Sequence, residues 1–110
     1  HNNESIAVLT QLLEENYADR DIEILFAAIN TKPVDKMLSK LSQFGPVSVT
    51  TFDDFRAVQL DDYPSGYERV QTYQEWLEQA DLDNPKKLYL ITGSLYFITY
   101  VRKYILEEFI

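Results

Sequence analysis

Three short apolar runs, separated by segments with helical spacing, constrain the fold of this chain more than any other feature. The runs at 22–29, 47–52 and 88–92 are rich in branched residues, as is typical of strands that are buried on both faces. Strands separated by helices need crossover connections, so the pattern predicts a mostly parallel sheet with helices on both faces. We therefore expect one three-layer, Rossmann-like α/β domain over residues 1–110.

Four helices are predicted from apolar residues at helical spacing. Their apolar positions are, in chain order, Ile6, Leu9, Leu13 and Tyr17; those within 33–44; Tyr67, Val70, Tyr73, Trp76, Leu77 and Ala80; and Leu95, Ile98, Val101, Ile105 and Phe109. Pro33 suits the first turn of the second helix, and Gly45 with Pro46 ends it. Residues 57–60 could add a short strand within an otherwise irregular segment.

The composition excludes several classes of function. The chain has no Cys and a single His, at position 1, which excludes disulfides, thiol nucleophiles and zinc sites built on sulfur or nitrogen ligands. Its net charge of −8 argues against binding to nucleic acid phosphates or anionic lipid. No apolar run approaches the ~20 residues that span a bilayer. We expect no nucleic acid or membrane partner, and a cytoplasmic location.

Chemistry is expected beyond the carboxyl ends of the strands, where parallel sheets gather ligands. Lys32 follows the first strand and can hold a carboxylate or phosphate, although spacing alone favours a solvated loop lysine. Ser94 follows Gly93 and can donate to an anion, although the local pattern favours a simple helix cap. No catalytic set is complete, because the chain has neither a glycine-rich phosphate loop with its lysine nor an acid–base pair beside a pocket.

Four stretches, in order along the chain, carry a resemblance to one known family. They are His1-Asn2 before a helix, 24–28 with Lys32, 49–52 with Arg56-Ala57, and 90–97 with Val101-Arg102. The most specific is Thr-Gly-Ser-Leu-Tyr at 92–96, at a strand–helix junction. Together they resemble the C-terminal domain of folylpolyglutamate synthase, a Mur-ligase-like enzyme that in many bacteria is also a dihydrofolate synthase. The sequence departs from the family pattern at Asn3 and Phe55, where Pro is common, and at Pro33, where an acidic residue is common.

This resemblance implies a domain of an ATP-dependent ligase that adds glutamate to folate through an acyl phosphate. ATP and magnesium would serve the full-length enzyme, whose phosphate loop lies in an N-terminal ATPase domain of the same chain. The opening at His1, without Met, fits a piece of that larger protein; the piece alone is expected to be inactive and to bind no cofactor.

The resemblance also implies roles for individual residues. His1 and Asn2 would face the nucleotide phosphates. Lys32 would be a positive group for the incoming glutamate or the developing acyl phosphate, an electrostatic role in catalysis. Ser94 would be a cap near the nucleotide cleft.

Two alternatives remain open at this point. The same domain could come from a peptidoglycan amino-acid ligase of the Mur type. It could also be a non-catalytic α/β binding domain, with the stripe of Tyr96, Tyr100 and Tyr104 on the last helix as its partner surface.

Overall fold

The computed structural model describes residues 19–109 of the chain. The helix predicted from Ile6 to Tyr17 lies outside the described residues, as do His1 and Asn2.

One sheet of four parallel strands organises the described part of the chain, in the order β3-β2-β1-β4. The strands are β1 (Asp21–Ala27), β2 (Val47–Val49), β3 (Glu68–Arg69) and β4 (Lys87–Gly93). β1 pairs with β4 along its whole length, from Asp21 opposite Lys87 to Ala27 opposite Gly93. Because all four strands run in one direction, their carboxyl ends share one side of the sheet, here called the carboxyl edge, and their starts form the amino edge.

Helices cover both faces of this sheet, so the predicted three-layer α/β class is confirmed. They are α1 (Val34–Leu41), α2 (Tyr73–Gln79) and α3 (Leu95–Glu108), with a 3-10 turn at Leu60–Asp62. α1 follows Pro33, as predicted, and α2 is capped by Thr72, whose side chain accepts from the Glu75 N–H. Among the described residues, no helix is both long and apolar enough to cross a membrane.

The alternation of side chains along β1 divides the core into two clusters. Ile24 and Phe26 face α1, together with the buried residues Met37, Leu38 and Leu41. Leu25 and Ala27 face the opposite side, where they pack with Leu77 of α2 and with Phe97 and Val101 of α3. Each large side chain of this kind contributes about 1.5–3 kcal/mol on full burial. β1 is therefore the element against which both outer layers are fixed.

The segment between β2 and α2 differs from the prediction. The helix expected from Tyr67 begins only at Tyr73, and Glu68–Arg69 forms the edge strand β3 instead. Both of these residues are exposed, so β3 carries no apolar alternation from which it could be predicted. The possible strand at 57–60 is a single antiparallel bridge between Ile29 and Ala57.

Two further boundaries are corrected. β2 ends at Val49, earlier than the predicted residue 52, because a turn with a hydrogen bond from Asp54 N–H to the Phe52 carbonyl follows it. On α3, the expected apolar side included Leu95 and Phe109, which are 63% and 41% exposed. Val101 is buried as predicted, and Ile98 and Ile105 pack partly buried against the same cluster. Phe97, which was not among the predicted positions, is also buried.

Candidate functional site

The loops after β1 and β2 are joined at the carboxyl edge by backbone hydrogen bonds. Asn30 N–H donates to the Arg56 carbonyl at 2.9 Å, and Val58 N–H donates to the Ala28 carbonyl at 2.9 Å. Lys32 follows two residues after Asn30. The position of Lys32 is therefore set by the second loop as well as by its own strand.

A buried tyrosine ties the same two strand ends together. The Tyr63 hydroxyl accepts from the Ala28 N–H at 3.1 Å and donates to the Thr50 carbonyl at 2.9 Å. Burial raises the pKa of Tyr63 to about 12, because the phenolate is disfavoured away from water. The hydroxyl therefore keeps the proton with which it donates. Sequence analysis missed this residue, since nothing local distinguishes it from the other tyrosines.

The junction between β4 and α3 is closed by Gly93 and Ser94. Gly93 has φ +127°, and a Cβ there would overlap the carbonyl oxygen of Ala27. Ser94 is buried; its N–H donates to that same carbonyl at 2.9 Å, and its Oγ accepts from the Tyr96 N–H at 3.1 Å. The predicted helix cap is thus confirmed, and it lies against the end of β1.

Two cavities open at this edge, and Lys32 lines both. The smaller, of about 300 Å³, is lined by Ile29, Lys32, Ser94, Leu95 and Tyr96. The larger, of about 730 Å³, is lined by Asn30, Lys32, Pro33, Val34, Asp35, Lys36, Phe55, Ala57, Val58, Gln59 and Asp62. The structure therefore brings two of the predicted site residues, Lys32 and Ser94, to one cavity, which we call the Lys32–Ser94 cavity. The other two, His1 and Asn2, lie outside the described residues.

The Lys32–Ser94 cavity has the charge and donors to hold an anion. Lys32 forms no ion pair with any residue in the described part of the chain. The first turn of α3 adds the partial positive charge of a helix N-terminus. The Ser94 Oγ already accepts one hydrogen bond, which leaves its own O–H to donate. A carboxylate or phosphate oxygen is the group that fits this set.

An arginine clamp stands beside the cavity. Arg56 Nε and Nη2 donate to Asp54 Oδ1 and Oδ2 at 3.0 and 2.9 Å, and the Arg56 guanidinium carbon lies 3.8 Å from the centre of the Tyr96 ring. Hydrogen bonding from the Arg56 side chain lowers the pKa of Asp54 to about 2. Phe55, between the two charged residues, is 92% exposed. Sequence analysis gave this Asp-x-Arg pair no role of its own.

The predicted tyrosine stripe on α3 divides in the structure. Tyr96 and Tyr100 are exposed, and Tyr100 contacts the Phe52 ring. Tyr104 packs edge-on against Tyr73 and Phe109. Only Tyr96 lines the Lys32–Ser94 cavity. The described residues include no group of three or more His, Cys, Asp or Glu side chains placed to hold a metal ion.

The fold and the position of the cavities define a three-layer α/β domain that carries its ligand groups at the carboxyl edge of a parallel sheet. The resemblance found in the sequence is confirmed: the chain is related to the C-terminal part of folylpolyglutamate synthases. The dihydrofolate synthase/folylpolyglutamate synthase of Bacillus subtilis is 30% identical over 112 residues, covering 94% of this chain and 26% of the relative. No protein-family model matches the sequence.

Solved structures show the same fold. FolC of Escherichia coli in complex with ADP superposes with a TM-score of 0.79 at 14% identity, over 96% of this chain and 27% of that one. The bifunctional synthase of Yersinia pestis, complexed with AMPPNP and Mn, gives 0.77 at 12% identity over the same shares. The chain thus spans about a quarter of the length of the proteins that it matches.

Proposed function

We propose that this chain is the C-terminal domain of an ATP-dependent ligase that adds glutamate to a folate through an acyl phosphate. The relatedness to folylpolyglutamate synthases supports the reaction class. The observation that carries the proposal is the Lys32–Ser94 cavity at the carboxyl edge, where a capped helix N-terminus meets a lysine that forms no ion pair within residues 19–109. Glutamate carries two carboxylates, and the Lys32–Ser94 cavity is suited to bind one of them.

In this proposal, Lys32 acts through its charge. Its ammonium group binds a carboxylate of the incoming glutamate or stabilises the charge that develops as the amine attacks the acyl phosphate. Ser94 orients the same carboxylate with its free O–H, while its Oγ keeps the first turn of α3 in place. Neither residue needs to gain or lose a proton for this role.

The remaining chemistry is proposed to lie in the rest of the parent protein. ATP, when bound, activates the folate carboxylate, and the described residues offer no acidic cluster for its magnesium ion. As the resemblance implies, the phosphate loop and metal ligands lie in the N-terminal ATPase domain, against which this domain closes. The resemblance assigns His1 and Asn2 to the nucleotide phosphates. The isolated domain is expected to be inactive, and the parent to work in the cytoplasm.

The test is glutamate incorporation by the full-length parent with ATP, magnesium and tetrahydrofolate. We expect folate-dependent addition of glutamate. We expect Lys32→Ala to lower kcat/KM by about 10²-fold or more, the scale seen when one electrostatic partner of a transition state is removed. The melting temperature should hardly change, because Lys32 makes no ion pair with the part of the chain that the structure describes.

Lys86→Ala is the matched control, since its side chain is exposed near the amino edge and should leave activity unchanged. Equal activity of Lys32→Ala and Lys86→Ala would contradict the assigned role. Extension of a muramyl nucleotide in place of folate would show that the parent is a peptidoglycan ligase. If the parent extends neither the folate nor the muramyl nucleotide, the remaining alternative is a non-catalytic binding domain.

A further inference from the structure

Arg56 does not line the Lys32–Ser94 cavity, but it contacts the lining residue Tyr96 and also Asn30, which lies between the lining residues Ile29 and Lys32. Its carbonyl accepts from the Asn30 N–H at 2.9 Å, which fixes the loop that carries Lys32. Its guanidinium lies 3.8 Å from the Tyr96 ring centre, on the first turn of α3. Arg56 thus contacts the lysine loop through its backbone carbonyl and the start of α3 through its side chain.

The orientation of the guanidinium is fixed by Asp54. Two side-chain hydrogen bonds hold it in a fork, and Asp54 Oδ1 also accepts from the Arg56 backbone N–H at 2.8 Å. The planar group therefore presents a fixed face to Tyr96, as cation–π stacking requires. A lysine cannot supply either the fork or the flat face.

This clamp lies outside the hydrophobic core. The Arg56 side chain is 33% exposed and Tyr96 is 47% exposed, and neither belongs to the two buried clusters. Because the Arg56 end of the ion pair is partly exposed, its contribution to stability is small compared with that of the two buried clusters. The hydrophobic core does not depend on the clamp. The cavity wall does depend on it, because the exposed Tyr96 side chain would otherwise be able to change rotamer.

We propose that Arg56 is a positioning residue that holds the Tyr96 ring as a fixed wall of the Lys32–Ser94 cavity, so that the amino-acid substrate is bound against it. The inference rests on the proposed function, because it takes glutamate as the occupant of that cavity. The tyrosine ring limits the space beside Lys32 and directs the carboxylate toward Ser94. Without the clamp the Tyr96 ring moves. Binding of the amino acid then weakens, and KM for glutamate changes before the rate of the chemical step does.

The test is steady-state kinetics of the full-length parent carrying Arg56→Ala, Arg56→Lys or Tyr96→Leu. We expect Arg56→Ala to raise KM for glutamate about two- to fivefold, which corresponds to a partly exposed cation–π contact. KM for ATP should stay at the wild-type value, and the melting temperature should fall only slightly, because one partly exposed ion pair is lost. Arg56→Lys should behave like Arg56→Ala, and the double variant with Tyr96→Leu should be no worse than either single variant, because both changes remove one contact.

Arg69→Ala is the matched control, because Arg69 also pairs with an aspartate, Asp61 at 3.4 Å, but lies on β3 away from the cavity. A glutamate KM that is unchanged in Arg56→Ala overturns the inference, as does full rescue by lysine. A lower melting temperature, together with kcat and both KM values impaired to the same extent, shows a structural role instead. A wild-type parent that adds no glutamate overturns the proposed function and this inference together, whereas normal kinetics in Arg56→Ala overturns only the inference.

Discussion

The two edges of the sheet are built from the same kinds of parts and end with different properties. At the amino edge, Gly45 lies against the Ile22 carbonyl, and at the carboxyl edge Gly93 lies against the Ala27 carbonyl. Each edge also has a tyrosine hydroxyl that accepts from a backbone N–H and an ion pair between acidic and basic side chains. The tyrosines are Tyr89 and Tyr63, and the pairs are Glu23–Lys87 and Asp54–Arg56.

What differs is how the positive charge is used. At the amino edge, Lys87 is 2.7 Å from Glu23, and the nearby polar cavity of about 230 Å³ is also lined by Glu68 and Asp81. At the carboxyl edge, Asp54 forms its ion pair with Arg56, and Lys32 has no acidic partner among the described residues. The carboxyl edge is therefore the candidate anion site, because Lys32 forms no ion pair with the described residues, whereas Lys87 of the amino edge is paired with Glu23.

The largest effect is expected from adding a methyl group at the glycine of each edge. Gly93→Ala should lower the free energy of unfolding by about 4 kcal/mol or more, because overlap with the Ala27 carbonyl is added to the strain of φ +127°. Gly45→Ala meets the Ile22 carbonyl without the unfavourable φ, so its cost should be lower by about 1–3 kcal/mol. Urea unfolding of the 110-residue chain measures both. Equal costs would show that backbone strain at Gly93 is unimportant.

A smaller effect is expected from removing the hydroxyl groups of the two tyrosines. Tyr63→Phe leaves a buried N–H of Ala28 and a buried carbonyl of Thr50 without a partner, and should cost about 1–3 kcal/mol. Tyr89→Phe should cost less, because the N–H of Asp81 that it frees is exposed to water.

The effect of Tyr63→Phe also has a pH dependence with a defined sign. The pKa of Tyr63 is raised from 10.0 to about 12, so the folded state favours the neutral phenol. Its contribution is complete below pH 10 and is lost as the pH rises from 10 toward 12. Tyr63→Phe should remove that part of the alkaline unfolding, as followed by circular dichroism. An unchanged alkaline transition would contradict the burial of this hydroxyl.

The smallest effect, and the sharpest contrast, concerns the two ion pairs. The pKa of Asp54 is lowered to about 2 by hydrogen bonding from Arg56, so its contribution is present above pH 3.8 and is lost as the pH falls toward 2. The pKa of Lys87 is raised by its hydrogen bond with Glu23, so that contribution is present below pH 10.5 and is lost as the pH rises above it.

Asp54→Asn and Lys87→Met separate the two pairs. The difference in unfolding free energy between wild type and Asp54→Asn should disappear in acid, and the difference for Lys87→Met should disappear in alkali. Both differences are expected to be small, since surface pairs contribute little. A difference for Asp54→Asn that stays constant through pH 2 would show that its carboxylate is not held by Arg56.

Local sequence signals predicted the parts of the fold that depend on neighbouring residues. β1 and β4 are apolar runs, and Gly93 with Ser94 marks the turn and cap between β4 and α3. β3 could not be predicted, because its two exposed residues are defined only by pairing with β2. The same limit applies to Phe97 of α3, which was not among the predicted apolar positions and is buried in the core cluster with Leu25 and Ala27.

The candidate site was predictable in outline and not in detail. Lys32 and Ser94 follow strands, so a parallel sheet places them at one edge. The clamp joins Arg56 to Tyr96, which are far apart in the sequence, and no spacing rule connects two such residues. The hydrogen bonds of the Tyr63 hydroxyl were unpredictable for the same reason, because their partners Ala28 and Thr50 lie 35 and 13 residues away in the sequence.

The pairing of β1 with β4 has a consequence for the order in which the chain folds. Glu23 and Lys87 are 64 residues apart, and all of β2, β3 and α2 lie between the two strands. During synthesis, β1 can pair with β2 early, whereas its other side must wait until β4 has left the ribosome. The Ser94 contact with Ala27 therefore forms among the last, and the ligand edge is completed only when nearly the whole domain has been made.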